Sequence, residues 1–209
     1  MKKNKFLGKL LVIEGLDGSG KSTQIRLLGE ELAKRKVRHY LTREHTREGM
    51  IGKVIERVVS GQEKLDPIAL QLLFVVDRLD HLRREIEPEL KKGKLVVCDR
   101  YYWTTVAYGS LVAEKNWFIK VNRYCLEPDL IIYLDINPKE AVLRLKTRGE
   151  KMTIFEKLSH LKYFKKIYDW LLEKFPEKSV RVDGKRSPKK ITRDIIKILE
   201  ERGLFIYER

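Results

Sequence analysis

Cysteine is scarce. Cys98 and Cys125 stand alone among 209 residues, in no paired pattern, which excludes a disulfide-built scaffold and a thiolate metal knuckle. The histidines His39, His45, His81 and His160 show no metal-ligand spacing either. Long apolar runs are missing: the longest cover about five or six residues, against the ~20 that a membrane-spanning helix needs. The start, MKKNKFLGKLLVIEG, is basic and then apolar. Lys9 and Glu14 interrupt it and no small-residue cleavage site follows, so no secretory signal is expected and the expected location is the cytoplasm. The guanine-reading pattern N-K-x-D is absent, since 116–119 is NWFI and 137–140 is NPKE. No apolar strand ends in an Asp-Glu pair, as larger ATPases would have.

Acidic residues are also in the minority. There are 30 Asp plus Glu against 45 Lys plus Arg, a formal net charge of +15. That surplus suits either a nucleic-acid binder or an enzyme with polyanionic substrates. The basic residues do not form one block. They fall in short groups, Lys34-Arg35-Lys36, Lys91-Lys92, Lys185-Arg186 and Lys189-Lys190, mostly where helices are expected to end. This favours a solvated basic surface, with nucleic acid as a disfavoured partner. No repeat, low-complexity stretch or linker divides the chain, so one domain over 1–209 is expected.

Short apolar runs at 10–14, 37–42, 95–98, 130–134 and 179–182 read as strands. Between them lie stretches with helical spacing, at 22–35, 50–60, 67–90, 104–125 with a break near Asn116, 138–148, 154–175 and 188–202. Apolar strands alternating with helices predict an α/β fold, a five-stranded parallel sheet flanked by helices in three layers. After the first strand comes Gly15-Leu-Asp-Gly-Ser-Gly-Lys-Ser22, matching G-x-x-x-x-G-K-[ST] in its expected strand–loop–helix setting. The glycines allow backbone N–H groups to turn around phosphate oxygens, and the helix adds its positive end. Gly15, Asp17, Gly18, Ser19, Gly20, Lys21, Ser22 and Thr23 are therefore the candidate ATP phosphate-binding set. Lys21 supplies charge to the β and γ phosphates and Ser22 a hydroxyl to Mg²⁺.

Further motifs follow in order: Thr42-Arg43-Glu44; Leu73-Phe74-Val-Val-Asp77-Arg78-x-x-His81; Asp99-Arg100-Tyr101-x-x-Thr104-x-x-Ala107-Tyr108; Pro128-Asp129-Leu130 leading to Leu134-Asp135-x-x-Pro138; and Arg144-x-x-x-Arg148-Gly149. With the phosphate loop, this series resembles the thymidylate kinase family from about Leu11 to Ile198. The resemblance implies a phosphate-loop NTPase fold with a short lid at about 149–154, and the reaction ATP + dTMP → ADP + dTDP with Mg²⁺. It implies that Phe74 stacks on the acceptor base and Arg78 reaches it, with Thr104 and Thr105 lining the base pocket. Arg43 and Arg100 would hold the acceptor phosphate, with Arg47 as a third candidate. Asp17 would face the acceptor 3′-hydroxyl and Tyr108 would crowd the 2′ position. Ser22 and Asp99 would orient Mg²⁺, and Arg148 would stack on the donor adenine. The implied catalytic set is Lys21, Arg100, Asp17, Arg148 and Lys151, and the implied assembly a homodimer through the helix from Pro67 or the stretch Thr104–Leu111.

Three positions depart from the family pattern. The phosphate loop carries Gly18 where some members place a catalytic arginine, and the lid has none at the expected place, leaving Lys151, Arg148 or Arg144 to supply the charge. His45 stands in place of proline after Thr-Arg-Glu, and Gly109 in place of glutamine after Ala-Tyr. These keep two alternatives open: a kinase for another pyrimidine nucleotide such as dUMP, and a nucleic-acid-binding relative without kinase activity.

Overall fold

A computed structural model of the chain describes residues 1–147 and 155–207. The elements run β1 (Lys9–Gly15), α1 (Lys21–Lys34), β2 (His39–Arg43), α2 (Met50–Val59), α3 (Pro67–His81), α4 (Glu87–Lys91), β3 (Leu95–Asp99), α5 (Tyr102–Gly109), α6 (Lys115–Val121), β4 (Leu130–Asp135), α7 (Pro138–Thr147), α8 (Leu158–Lys174), β5 (Ser179–Asp183) and α9 (Pro188–Glu201). The five strands form one parallel sheet in the order β2-β3-β1-β4-β5. This is the expected fold class. β1, β3 and β4 are buried almost throughout, as strands covered on both faces must be, which explains their unbroken apolar sequences.

Alternation along each strand divides the core in two. Leu10 and Val12 of β1, with Val96 and Cys98 of β3, face a layer containing Trp103, Val106, Phe164 and Tyr168 from α5 and α8. Leu11 and Ile13, with Leu95 and Val97, face Leu28 and Leu32 of α1 and Ile195 and Leu199 of α9. From β1 the chain crosses to β2 and β3 on one side, then to β4 and β5 on the other. The carboxyl ends of β1 and β3 therefore flank the crevice where open α/β sheets take ligands.

Two expected helices are divided. The 67–90 stretch opens as α3, capped by Asp66, whose Oδ1 accepts from the N–H groups of Ile68 (2.9 Å) and Ala69 (3.0 Å). It then widens into a π-helical turn over Leu82–Ile86 before α4. Pro88 supplies the reason, because its ring would strike the carbonyl four residues back in an ordinary α-helix. The 104–125 stretch breaks after Gly109 rather than near Asn116, giving α5 and α6. A Cβ on Gly109 would lie 2.5 Å from the ring of buried Phe118. The glutamine expected there is excluded by this packing. No described helix is long and apolar enough to cross a membrane.

Candidate active site

One cleft of about 1180 Å³ runs along the strand ends, lined by the phosphate loop, the β2–α2 loop, α3, α5 and the β5–α9 loop. That exceeds the ~300–1000 Å³ typical of a single small-molecule pocket.

The phosphate loop is held open by backbone geometry. Gly20 precedes α1 at φ 94°, in the left-handed region that favours glycine. Gly18 sits at φ 80°, and a Cβ there would lie 2.5 Å from the carbonyl oxygen of Ala141 in α7. An arginine cannot occupy this position without displacing backbone, which accounts for the glycine at this place in the loop. Lys21 Nζ donates back to the carbonyls of Gly15 (3.1 Å) and Leu16 (2.8 Å). Burial, helped by repulsion from Arg100, lowers the Lys21 pKa to about 8 against the opposing pull of Asp17, Asp99 and Glu14.

Behind the loop, Ser22 Oγ donates to Asp99 Oδ2 at 3.1 Å. The other oxygen, Oδ1, is buried without a partner. A hydroxyl beside a carboxylate with an unsatisfied oxygen is the hard-oxygen donor set that Mg²⁺ takes, so Ser22 and Asp99 fit that ion.

Arg100 follows β3 at φ 69°, a left-handed conformation that costs a side-chain-bearing residue about 1–3 kcal/mol. The surroundings hold it there. Its N–H donates to Ile13 O (3.0 Å), and its guanidinium reaches Gly15 O (3.3 Å), Thr104 Oγ1 (3.2 Å) and Asp17 Oδ1. Tyr108 OH donates to the other Asp17 oxygen at 2.7 Å, and Arg100 lies over the Tyr108 ring. Asp17, Arg100 and Tyr108 thus form one interlocked group between the phosphate loop and α5. Arg43 and Arg47 line the same cleft, and no ion pair holds either among the described residues. Burial and the charge of Arg47 lower the Arg43 pKa, while Asp99 opposes the shift. Four cations converging on one crevice make an anion site.

The wall on the α3 side is built from Phe74, Arg78, His45 and Thr105. Arg78 is fully enclosed. Its Nε donates to Glu44 Oε2 (2.6 Å), Nη1 to Asn122 Oδ1 (2.7 Å) and Nη2 to Thr105 Oγ1 (3.1 Å), and it lies over the Tyr101 ring. Three of its five N–H groups are thereby committed to the protein. Phe74 packs against His45 at 5.6 Å between ring centroids, and His45 Nε2 lies 2.8 Å from Glu56. Burial lowers the His45 pKa against the opposing pull of Glu56.

A family model described as thymidylate kinase matches residues 13–195. The chain belongs to the thymidylate kinase family. Curated relatives named probable thymidylate kinase include one from Thermococcus onnurineus, 39% identical, with 93% of this chain and 98% of that protein covered. Another, from Pyrococcus horikoshii, is 36% identical, with 94% and 98% covered. A solved thymidylate kinase from Candida albicans is 25% identical and superposes with a TM-score of 0.78, covering 96% of each chain.

Within this thymidylate kinase framework, several structural partners of the site escaped the sequence reading. Glu14, at the end of β1, is buried and accepts from Tyr101 N (2.9 Å), Thr104 N (3.2 Å), Thr104 Oγ1 (2.7 Å) and Tyr168 OH (3.1 Å). Burial raises its pKa against the opposing influence of Arg100. It ties down the turn that carries Arg100, and it takes the Thr104 hydroxyl expected to line the base pocket. Glu44 and Asn122 clamp Arg78. Asp77 accepts from Thr46 N (2.9 Å) and Oγ1 (2.5 Å), pinning the loop that carries His45 and Arg47. The signal for Glu14 was a carboxylate closing an otherwise apolar strand, which only a buried partner set makes tolerable.

At the opposite end of the cleft, Arg144 donates to Gly184 O (3.2 Å) beside Lys185, Arg186 and Pro188. Arg148 and Lys151, with the whole lid at 149–154, lie outside the described residues. Histidine spacing along the chain hid one cluster: ligand atoms of Glu44, His81 and Cys98 lie within 4.8 Å of one another. Its chemistry is that of a polar core. Burial opposes the His81 proton, but Glu44, Glu85 and Asp77 outweigh it and raise the pKa, while burial pushes the Cys98 thiol well up.

Proposed function

We propose that this protein transfers the γ-phosphoryl group of Mg-ATP to dTMP, giving ADP and dTDP. One observation carries the reading: the Asp17–Arg100–Tyr108 group stands between a phosphate loop and an aromatic–guanidinium wall along one continuous cleft. The donor triphosphate lies in the loop, with Lys21 turning from the Gly15 and Leu16 carbonyls to the β and γ phosphates. Arg144 and the β5–α9 loop take the donor base end. The acceptor stacks on Phe74, with Thr105 and Arg78 beside its base. Arg100 and Arg43 hold its phosphate, and Asp17 and Tyr108 face its sugar.

No general base is needed. A phosphate monoester is already largely deprotonated at neutral pH, with a second pKa of about 6. One of its oxygens attacks the γ-phosphorus, the bond to the β–γ bridging oxygen breaks, and the electron pair leaves on ADP. Catalysis is positioning and charge neutralisation. Bound through Ser22 and Asp99, Mg²⁺ supplies charge compensation on the donor phosphates. Lys151 and Arg148 are the candidates to complete that compensation from the lid side.

We also propose a homodimer. α3 exposes Ile68, Leu72, Val76 and Leu79 at spacings of four, four and three, an apolar stripe on the helix singled out from sequence. An enzyme drawing on cellular ATP and dTMP works in the cytoplasm.

The test is an ADP-release assay with ATP, Mg²⁺ and dTMP, dUMP, UMP, CMP, AMP and GMP in turn. Preference for dTMP is expected. Preference for dUMP would move the acceptor to the demethylated base and the explanation to His45 and Gly109. No turnover with any acceptor, together with polynucleotide binding in 0.2 M salt, would replace the kinase reading with the nucleic-acid one.

A further inference from the structure

Gln71 lies one turn before Phe74 on α3. Positions 71, 74 and 78 are spaced three and four apart, so they share one helix face, and all three line the cleft. Gln71 is 2% exposed, and its Oε1 is buried with no hydrogen-bond donor. The core between α2 and α3 is apolar: Leu70, Ile55 and Val58 form a cluster with Leu73 and Phe74 packed against it. A carboxamide in such a place is costly unless something completes it.

Several other polar groups of the wall are already engaged. The Arg78 guanidinium is held by Glu44, Asn122 and Thr105. Asn122 Nδ2 donates to Phe118 O (2.8 Å), Thr104 Oγ1 to Glu14 and His45 pairs with Glu56. Among the described wall residues, Gln71 Oε1 and Glu44 Oε1 are buried acceptors without a donor, and only Glu44 Oε1 has a cationic neighbour, His81 Nδ1 at 3.7 Å.

We propose that Gln71 reads the imide edge of the acceptor base. On acceptor binding the buried carboxamide turns toward the ring, so that Oε1 accepts the N3–H of thymine or uracil and Nε2 donates to the adjacent C4 carbonyl, with the ring stacked on Phe74. A planar carboxamide presents acceptor and donor side by side, which matches the donor–acceptor pair of an imide. Cytosine presents N3 as an acceptor beside the N4 amino donor and would require the carboxamide turned over. The inference rests on the dTMP-kinase reading and adds a specificity-determining residue to it.

The experiment compares dTMP with N3-methyl-dTMP, which lacks the N3–H, in the wild type and in Gln71→Met and Gln71→Glu. The wild type is expected to discriminate against the methylated acceptor. Gln71→Met removes both amide functions at similar length. It should lower kcat/KM for dTMP about 10- to 100-fold, mainly through KM. KM for ATP should stay within about twofold, and the dTMP preference over N3-methyl-dTMP should shrink by the same factor as the dTMP loss. Gln71→Glu keeps an acceptor at the same place and should retain more of the preference than Gln71→Met. It also serves if the methionine variant does not fold. An unchanged KM for dTMP and an unchanged ratio in whichever variants fold would overturn the assignment while leaving the kinase intact. A wild type inactive on every pyrimidine monophosphate would overturn both readings together.

Discussion

At the scale of single residues, titration gives the clearest handles. Lys21 sits at about 8 in the free protein because burial and Arg100 disfavour its charge. A triphosphate in the loop supplies the missing anion, so the folded pKa must climb on binding. ATP binding at pH 8 should therefore take up about half a proton at Lys21. Calorimetry in buffers of different ionisation enthalpy reads that number, and Lys21→Met should abolish it. Two histidines shape stability in adjoining pH windows. Carboxylates raise the His81 pKa above the unfolded 6.5, so its contribution is complete below pH 6.5 and is lost as pH rises through the folded value. His45 is lowered by burial, so its neutral form is the stabilising one, and stability falls as pH drops below 6.5. The Tm difference between wild type and His81→Gln should shrink above pH 6.5, and that between wild type and His45→Gln should shrink below it. Equal, pH-independent differences would refute both assignments.

At the scale of elements, the packing of α7 against the phosphate loop decides where a catalytic arginine cannot be. Gly18→Arg introduces a left-handed non-glycine residue and drives its Cβ into the Ala141 carbonyl. It should cost about 2–4 kcal/mol of stability and weaken ATP binding rather than add activity. Urea denaturation and ATP titration of that variant check both halves, and a stable, faster variant would contradict them. The same scale shows what the sequence made legible. The strands, the glycine-rich loop and the order of the motifs were readable because each is local: a short apolar run, a conformational requirement, a fixed spacing. The π turn at Leu82–Ile86 was not, because Pro88 acts on the turn before it. Glu14 was visible only as a charge at a strand end, since its partners come from as far as Tyr168. Arg78 was readable as a face-mate of Phe74, but not as a residue enclosed by Glu44 and Asn122. Those partners lie 34 and 44 residues away. Local chemistry survives in a sequence, whereas the competition for a hydrogen bond is settled by the fold.

At the scale of the whole molecule, the surplus of positive charge and the apolar stripe on α3 have different destinations. Arg43, Arg47, Arg100 and Lys21 gather in the cleft, while Lys34, Arg35, Lys91 and Lys92 lie at helix ends, exposed to solvent. The charge is divided between a substrate site and a surface that keeps the chain dispersed. The stripe cannot serve that purpose. Ile68, Leu72, Val76 and Leu79 are each more than a third exposed on a helix whose other face carries Gln71, Phe74 and Arg78 toward the cleft. A second copy docked on the stripe would therefore stiffen the helix that presents the acceptor wall. Leu72→Glu and Val76→Glu, which face away from the cleft, should convert a dimer into monomers by sedimentation at micromolar concentration. A two-fold interface would bury each introduced carboxylate twice, without a cation to pair it. The monomers should keep the kcat of the dimer more nearly than its KM for dTMP, because Phe74 and Arg78 lie on the helix that loses support while Lys21 and Arg100 do not. Variants that remain dimeric, or monomers with an unaltered KM, would uncouple this surface from the acceptor wall.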